Sequence, residues 1–305
     1  MIDHRFWQGR SVLVTGHTGF KGGWISQWLH QLGAKVYGYA LNPPTAPSFF
    51  ELISLETRLE GSVQGDIRDL SSLKKALAEA KPSVVIHMAA QPLVLESYRA
   101  PVDTYTTNVI GTLNVLEALR GVESVEAVIN VTSDKCYENR GSRQAYREND
   151  PLGGRDIYSN SKACSELVAA AYRDSFLAQA GIRLACVRAG NVIGGGDWAP
   201  NRLIPDFFKA HYSRETLRVR SPDAIRPWQH VLEPLSGYLL LAQRLTMSGA
   251  AFDGAWNFGP QDLDSQPVSW ILDRLTAITK GLGWEFESVN QPKESKTLVI
   301  DSTKA

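Results

Sequence analysis

The sequence lacks net charge, paired cysteines and any long hydrophobic run. Its 32 basic and 32 acidic residues cancel, so no overall field favours nucleic acid or an anionic membrane as a partner. Its three cysteines fit neither a disulfide framework nor a zinc site, and its six histidines form no cluster, so we expect no metal. Because no apolar stretch reaches membrane length and no signal-peptide pattern precedes the first strand, the sequence predicts a soluble cytoplasmic protein.

Short β-branched runs alternate with longer segments of helical spacing over most of the chain. The runs with strand character are 11–16, 34–41, 83–90, 126–133 and 183–190. The segments with helical spacing are 23–33, 71–80, 109–121 and 159–181. Strands that are apolar throughout and separated by helices predict an α/β fold, with a Rossmann-type, doubly wound parallel sheet.

The texture of the sequence changes near residue 190, where glycine, proline and scattered aromatic residues become frequent. We therefore predict a sheet domain over 1–189, to which a segment near 226–258 returns, and a smaller domain over 190–305. The tail LVIDSTKA is still patterned like folded structure. The smaller domain is therefore expected to be truncated at its C-terminus.

A glycine-rich turn, GHTGFKG from Gly16 to Gly22, joins the first strand to a helix. Glycines permit a tight turn and let a dinucleotide pyrophosphate approach the helix N-terminus. A glycine-rich turn without a ligand would look similar, but the position at the start of a βαβ unit favours a dinucleotide. Strand two ends in Ala40, Leu41 and Asn42, without the acid that holds an adenosine ribose and without an arginine for a 2′-phosphate, so this strand leaves the choice between NAD and NADP open. We expect NAD on other grounds, and we expect it to bind weakly.

Two further motifs carry candidate chemistry. Tyr158 and Lys162 lie one turn apart in YSNSK, and an ammonium near a phenol stabilises the phenolate as a base; a surface pair is the alternative. Ser133, Asp134 and Lys135 end a buried strand, at the edge where parallel sheets bind ligands. A turn-capping Asp beside a solvated Lys would be the alternative there.

Together, GHTGFKG, HMAAQP, TNVIGT, Ser133 and YSNSK resemble the extended short-chain dehydrogenases/reductases over essentially the whole chain. Within them, the nucleotide-sugar 4,6-dehydratases are the most similar group. Their strand-end motif usually reads Thr-Asp-Glu, where this chain has Ser133, Asp134 and Lys135. The lysine, with RAGNVIGGGDWAPNRLIPD and RPWQHVLEPL, resembles the branch that acts on CDP-glucose.

The resemblance implies a redox-neutral lyase reaction with catalytic NAD. C4 of CDP-glucose is oxidised, water leaves across C5 and C6, and hydride returns to C6, supplying 3,6-dideoxyhexoses for bacterial O-antigen lipopolysaccharide. Ser133, Tyr158 and Lys162 would serve C4, Asp134 would be the acid at C6, and Lys135, as a neutral amine, the base at C5. A 4-epimerase or reductase would need only the first three, and a non-catalytic NAD-binding regulator would not need Tyr158 or Lys162.

The resemblance also implies the binding residues and the assembly. The sheet domain would bind NAD, and the smaller domain the nucleotide sugar. The residues implied for NAD are Gly16, Thr18, Gly19, Phe20, Gly22, Asp66, Ile67, Ala89, Ala90, Gln91, Asn108, Tyr158 and Lys162. Those implied for the substrate nucleotide are Asn191, Arg202, Arg226 and Glu233, although either arginine could be a surface residue. The helix that starts near Tyr158 pairs across two-fold axes in the superfamily, so we expect a homodimer or a dimer of dimers.

Overall fold

A computed structural model describes residues 1–139, 145–260, 264–288 and 297–305 of the chain. The strands of these ranges are β1 (Ser11–Thr15), β2 (Lys35–Ala40), β3 (Gly61–Gln64), β4 (Val84–His87), β5 (Ala127–Val131), β6 (Arg183–Ala189), β7 (Val192–Ile193), β8 (Leu217–Val219), β9 (Ile225–Pro227), β10 (Gln229–His230), β11 (Gly254–Phe258), β12 (Ser265–Pro267) and β13 (Trp284–Phe286). The helices are α1 (His4–Trp7), α2 (Phe20–Gln31), α3 (Phe49–Leu52), α4 (Leu70–Ala80), α5 (Val94–Arg99), α6 (Pro101–Tyr105), α7 (Gly111–Leu119), α8 (Ile157–Tyr172), α9 (Leu203–Ser213), α10 (Leu232–Ser248) and α11 (Val268–Thr279).

The main sheet has seven strands in the order β11-β6-β5-β4-β1-β2-β3, and every neighbouring pair is parallel. The five strands expected from sequence correspond to β1, β2, β4, β5 and β6, so the predicted Rossmann-type sheet is confirmed. The strand β3 was not predicted, because its four residues alternate between exposed and half-buried and carry no apolar run. The segment after residue 226 supplies α10 and β11, and β11 pairs with β6.

A hydrophobic layer covers each face of this sheet. On one face, α2 and α10 bury Ile25, Leu29, Leu235 and Leu239 against the strands. On the other face, α4, α7 and α8 enclose a second core. Strands covered on both sides read as continuous apolar runs, which is why their burial was visible in the sequence.

A smaller core lies in the second half of the chain. There Phe207 on α9 and Leu272 on α11 pack with Trp228, which directly follows β9. These side chains surround the short strands β8 and β9. The division into two domains at residue 190 stays a prediction. No helix in the described ranges combines the length and apolarity needed to cross a bilayer.

The strand order places a crevice at one edge of the sheet. Because β1 leads outward to β2 while β4 lies on its other side, the connections after β1 and β4 diverge, and ligands of open parallel sheets bind at such a point. The turn from Gly16 to Gly22 follows β1, the segment Ala89–Gln91 follows β4, and Ser133 follows β5. The predicted motifs therefore meet at the carboxyl edge of three adjacent strands.

Candidate active site

Ser133 connects the two motifs that were predicted to carry chemistry. It ends the segment after β5, and its Oγ caps a short 3₁₀ turn by accepting a hydrogen bond from the Lys135 N–H at 3.2 Å. The same hydroxyl donates to Asp134 Oδ1 at 3.1 Å and is hydrogen-bonded with Tyr158. The serine thus joins a carboxyl group and a phenol that are 24 residues apart along the chain, at positions 134 and 158.

Tyr158 and Lys162 lie on the first turns of α8, and both are buried. Burial raises the pKa of Tyr158 to about 12, against smaller opposing effects of the Ser133 hydrogen bond and Arg202. Burial and the nearby cation Lys21 lower the pKa of Lys162 to about 8, and its Nζ donates to the Val131 carbonyl oxygen at 3.3 Å.

Burial sets the direction of the pKa shift of Tyr158, because removing a phenolate from water is costly. The stabilisation of the phenolate by Lys162 stays a prediction. The two side chains nevertheless share one helical face at the mouth of the crevice, as their spacing predicted.

Asp134 is a buried acid whose carboxyl group is only half satisfied. The residue is 3% exposed, and among the described residues its Oδ2 has no hydrogen-bond partner. Burial raises the pKa of Asp134, while Lys135, Ser133, Arg226 and Lys21 act in the opposite direction. A carboxyl group that burial helps to keep protonated, with one free oxygen, is suited to donate a proton.

Two lysines interact electrostatically with Asp134, and only one of them was predicted. Lys135 follows it in the chain and is half-buried. Lys21, the second residue of α2, reaches the same place from the glycine-rich turn. A charged side chain inside a turn that otherwise needs only glycine backbone was the available signal for Lys21 in the sequence.

The four residues predicted for the substrate nucleotide lie in different surroundings. Arg202 pairs with Asp197 at 2.8 Å and also acts on Tyr158 and Lys21, so it reaches the catalytic side chains. Arg226 is buried, acts on Asp134, and donates to the Ile225 carbonyl oxygen at 2.9 Å. Neither arginine is a simple surface residue.

Asn191 and Glu233 differ from the two arginines, because among the described residues their contacts do not involve Asp134 or Tyr158. The Asn191 carbonyl oxygen accepts a hydrogen bond from the Gln229 N–H at 3.0 Å, and Glu233 is exposed on the first turn of α10. Their contacts with a substrate stay predictions.

The glycine-rich turn fits a dinucleotide. Gly16 has φ 77°, a conformation that favours glycine, and a Cβ on Gly22 would overlap the Gly16 carbonyl oxygen, so both are required by the turn itself. Gly19 differs, because a Cβ there would meet nothing closer than the Gly16 oxygen at 3.4 Å. It starts α2 without a side-chain cap and without an acid in the first turn. The helix N-terminus is thus left open for a pyrophosphate.

The adenosine end of the predicted NAD site has no acid at the end of β2. Other contacts shape this end of the site. Thr18 Oγ1 donates to the Leu41 carbonyl oxygen at 2.9 Å and so ties the turn to the end of β2. Asp66 pairs with Arg68 at 2.6 Å, and this hydrogen bond lowers the pKa of the Asp66 carboxyl. The Ile67 side chain is buried in the core, and its contact with adenine stays a prediction.

Asn108 holds the segment after β4 in place. Its Oδ1 accepts from the Gln91 N–H at 2.8 Å, and its Nδ2 donates to the Gln91 carbonyl oxygen at 3.1 Å and to Ser161 Oγ at 2.9 Å. Ala89 and Ala90 are half-buried just before this clamp. Asn108 therefore fixes the wall of the predicted NAD site against α8. Phe20, the first residue of α2, packs against the core on the face of the sheet that α2 and α10 cover.

Within residues 1–139, 145–260, 264–288 and 297–305, no group of three or more His, Cys, Asp or Glu side chains could hold a metal ion.

Comparisons with known proteins identify a family and several relatives. The model of the NAD dependent epimerase/dehydratase family matches residues 12–252. The chain is 53% identical over 311 aligned positions to CDP-glucose 4,6-dehydratase of Salmonella typhimurium, covering 100% of this chain and 86% of the relative. It is 29% identical to dTDP-glucose 4,6-dehydratase of Xanthomonas campestris, covering 96% of this chain and 85% of that protein.

Solved structures share the fold. The dTDP-glucose 4,6-dehydratase of Bacillus anthracis, in complex with NAD, superimposes with a TM-score of 0.80 at 20% identity, covering 97% of this chain and 89% of that one. UDP-glucose 4-epimerase of Thermotoga maritima, with UDP-glucose, gives a TM-score of 0.80 at 19% identity, covering 96% and 90%. At these identities the likeness shows the Rossmann-type architecture alone, so the choice of reaction depends on the site and on the closer relatives.

Proposed function

Because the chain belongs to the NAD dependent epimerase/dehydratase family, we propose that it removes water from CDP-glucose with catalytic NAD, giving CDP-4-keto-6-deoxyglucose. Similarity along the whole chain to the Salmonella enzyme supports both the reaction and the nucleotide. The observation that carries dehydration is the buried carboxyl group of Asp134 beside Ser133. Epimerisation or reduction at C4 does not remove the C6 oxygen and therefore needs no acid beside it.

The first step takes place at the C4 hydroxyl. Tyr158, as phenolate, takes the hydroxyl proton, and Ser133 holds the same oxygen by a hydrogen bond. Bound NAD would supply a reversible hydride acceptor for the hydride that leaves C4 and returns to C6. Gly16, Gly19 and Gly22 would hold its pyrophosphate, and the wall clamped by Asn108 would face the rest of it.

The second step removes water. The Lys135 amine takes the C5 proton, and the electrons of that C–H bond form the C5–C6 double bond. The C6–O bond breaks with its electron pair while Asp134 gives its proton to the leaving oxygen, so the product is neutral water. Oxidation at C4 comes first because the C4 carbonyl acidifies the C5 proton.

The hydrogen bonds of Ser133 support a route by which Asp134 would regain its proton. Tyr158 holds the proton of the C4 hydroxyl after the first step, and Ser133 is hydrogen-bonded to both Tyr158 and Asp134. Passing one proton through the Ser133 hydroxyl would restore phenolate and acid together. When hydride adds to C6, the Lys135 ammonium returns a proton to C5, so the cycle balances overall. Exchange of that ammonium with solvent beforehand brings solvent hydrogen to C5.

Lys135→Gln should abolish exchange of the C5 proton, because glutamine cannot act as a base. We expect kcat to fall about 100-fold or more. Deuterium incorporation at C5 from D₂O, followed by mass spectrometry, measures the step, and Lys75→Gln on the exposed face of α4 is the matched control. Dehydration at the wild-type rate in Lys135→Gln would remove the proposed base.

Incubating the purified protein with NAD and CDP-glucose tests the function itself. The proposal predicts a 4-keto-6-deoxy product in the presence of NAD. Formation of CDP-galactose would instead identify a 4-epimerase, and binding of NAD without turnover would indicate a regulator. Replacing CDP-glucose with dTDP-glucose tests the nucleotide, and equal rates would contradict the choice of CDP.

We also propose a homodimer. Large apolar side chains are exposed on neighbouring helices of one part of the fold, including Val102 on α6, Leu167 on α8 and Phe176 just after it. An interface on α8 would lie behind Tyr158 and Lys162 and would hold their helix in place. A dimer of dimers stays an open alternative within this proposal.

Static light scattering should give twice the chain mass for the wild type, and Leu167→Glu should give the mass of one chain, because a buried unpaired carboxylate opposes the interface. Met247→Glu, which changes an equally exposed side chain on α10, serves as the control. A wild-type mass equal to one chain would contradict the dimer.

Supply of the product to 3,6-dideoxyhexoses of O-antigen lipopolysaccharide is a further part of the proposal. It depends on the similarity to the Salmonella enzyme and on the chemistry of a 4-keto-6-deoxy sugar, whose carbonyl activates C3 for later deoxygenation. The cytoplasmic location expected from the sequence stays a prediction.

A further inference from the structure

A buried ion pair joins α8 to β6. Glu166 on α8 and Arg188 near the carboxyl end of β6 are only 4% and 2% exposed. Arg188 Nε donates to Glu166 Oε1 at 2.7 Å and Nη2 donates to Oε2, so the guanidinium binds the carboxylate through two parallel hydrogen bonds. Because charges are costly to bury, such a pair is stable only when its remaining donors and acceptors are also satisfied. The steps proposed above give this pair no task.

The remaining hydrogen bonds of the pair reach both ends of the segment 133–135, which holds the proposed proton carriers of the turn after β5. Thr132 Oγ1 donates to Glu166 Oε1 at 2.6 Å, at the start of this segment. Arg188 Nη1 donates to the Tyr137 hydroxyl oxygen at 2.7 Å, just beyond its end. Thr132 and Tyr137 are both buried. One ion pair therefore holds the turn from both sides.

The Tyr137 side chain is fixed by a second partner as well. Its hydroxyl donates to Asn257 Oδ1 at 2.7 Å, and Asn257 lies on β11. Asn257 Nδ2 in turn donates to the carbonyl oxygens of Tyr146 and Asp301 at 2.9 and 3.0 Å. The Tyr137 hydroxyl is thus both acceptor and donor, and it ties the end of the turn to Arg188 and to β11.

The helix side of the pair carries the other half of the chemistry. Tyr158, Lys162 and Glu166 are each four residues apart, so they lie along one face of α8, and all three are buried. The reaction uses α8 at C4 and the turn at C5 and C6, so both must be held at one separation. A reacting group misplaced by about 1 Å can slow a step about 100-fold.

We propose that Glu166 and Arg188 are positioning residues that form a bridge, through Thr132 and Tyr137, between α8 and both ends of the segment 133–135. The proposal rests on the dehydratase function. The bridge touches neither substrate nor cofactor, and it acts by aligning the side chains that do.

The two ends of the bridge should serve different steps. Thr132 directly precedes Ser133, so its hydrogen bond aligns the serine with the C4 oxygen. Tyr137 follows Lys135 by two residues, so its hydrogen bonds align the amine with C5. Loosening the first end should slow oxidation at C4, and loosening the second should slow the loss of water.

Thr132→Val and Tyr137→Phe each remove one hydroxyl and keep the ion pair and the approximate shape of the side chain. In a single turnover of the full chain with NAD and CDP-glucose, near-ultraviolet absorbance follows the reduced cofactor. Tyr137→Phe should form it at the wild-type rate and consume it about 10- to 100-fold more slowly. Thr132→Val should form it about 10- to 100-fold more slowly, and Thr132→Ser, which keeps the hydroxyl, should restore most of the rate.

Two matched variants lose a hydroxyl hydrogen bond away from the crevice. Tyr172→Phe removes a bond to Glu117 at the end of α8, and Thr246→Val removes a bond to a backbone carbonyl of α10. Both should turn over as wild type. If Thr132→Val and Tyr137→Phe lower the unfolding temperature but leave both steps unchanged, or slow both steps equally, the pair serves folding alone and the proposal is overturned.

A second readout needs neither cofactor nor substrate. Hydrogen–deuterium exchange, followed by mass spectrometry of peptides that span 133–136, reports how firmly the turn is held. Exchange there should be faster in Thr132→Val and Tyr137→Phe and unchanged in Tyr172→Phe. Exchange at the wild-type rate in the first two variants would overturn the bridge. If the wild type forms no 4-keto-6-deoxy product, the proposed function fails, and this exchange still decides whether the bridge holds the turn.

Discussion

Replacing Tyr158 with Phe should lower kcat for CDP-glucose by about 100- to 10,000-fold, the range typical for removal of a general base. In the proposed mechanism the phenol takes the C4 proton, and without it no later step can start. Because Phe keeps the ring that is buried at the start of α8, the fold should survive. Reduced cofactor should therefore fail to form at all, which near-ultraviolet absorbance in a single turnover will show.

Tyr212→Phe is the matched control, since Tyr212 lies on α9 with 80% of its surface exposed. It should retain the wild-type rate. Circular dichroism and NAD titration of Tyr158→Phe separate a chemical defect from a misfolded or empty protein. A folded, NAD-binding Tyr158→Phe enzyme with normal turnover would show that another group removes the C4 proton.

Asp134→Asn should separate the two halves of the reaction. Asparagine has nearly the same shape but cannot protonate the C6 oxygen, so loss of water should slow by about 100- to 10,000-fold. Oxidation at C4 should continue, because Tyr158 and Lys162 are unchanged. The expected result is reduced cofactor that persists with a 4-keto sugar still carrying its C6 oxygen, detected by absorbance and mass spectrometry.

Asp174→Asn, at an exposed pair with Arg173, tests the same chemical change away from the crevice and should have no effect. Water loss at the wild-type rate in Asp134→Asn would contradict the assignment of the acid.

The sheet could be predicted because strands that are buried on both faces appear in the sequence as continuous apolar runs. β1, β4 and β5 are apolar at nearly every position, and each ends at a motif. Parallel strands place their carboxyl ends at one edge, so the convergence of Gly16, Ala89 and Ser133 followed from the pattern. The strand β3 was not predicted because its four residues form no apolar run.

The electrostatics of the site could not be predicted from spacing. The one-turn separation of Tyr158 and Lys162 suggested a stabilised phenolate, but the balance depends on how much water each group loses, and burial dominates for both. Likewise, Lys21 and Asp134 are over a hundred residues apart, at positions 21 and 134. Only the folded chain shows that the amine and the acid share a crevice.

The choice of CDP-glucose came from the resemblance carried by Lys135 and the neighbouring motifs, and the 53% identity to the Salmonella enzyme supports it. No physical feature of the described site distinguishes cytosine from the other bases by itself. The proton carriers of the proposed mechanism are Tyr158 and Ser133 for C4 and Asp134 for C6.

The most direct test follows one atom through the reaction. The purified protein is incubated with NAD and CDP-glucose that carries deuterium at C4, and the product is examined by nuclear magnetic resonance. The account predicts CDP-4-keto-6-deoxyglucose with that deuterium at C6. A product that retains its C6 oxygen, or a 6-deoxy product whose C6 has no deuterium from C4, would contradict it.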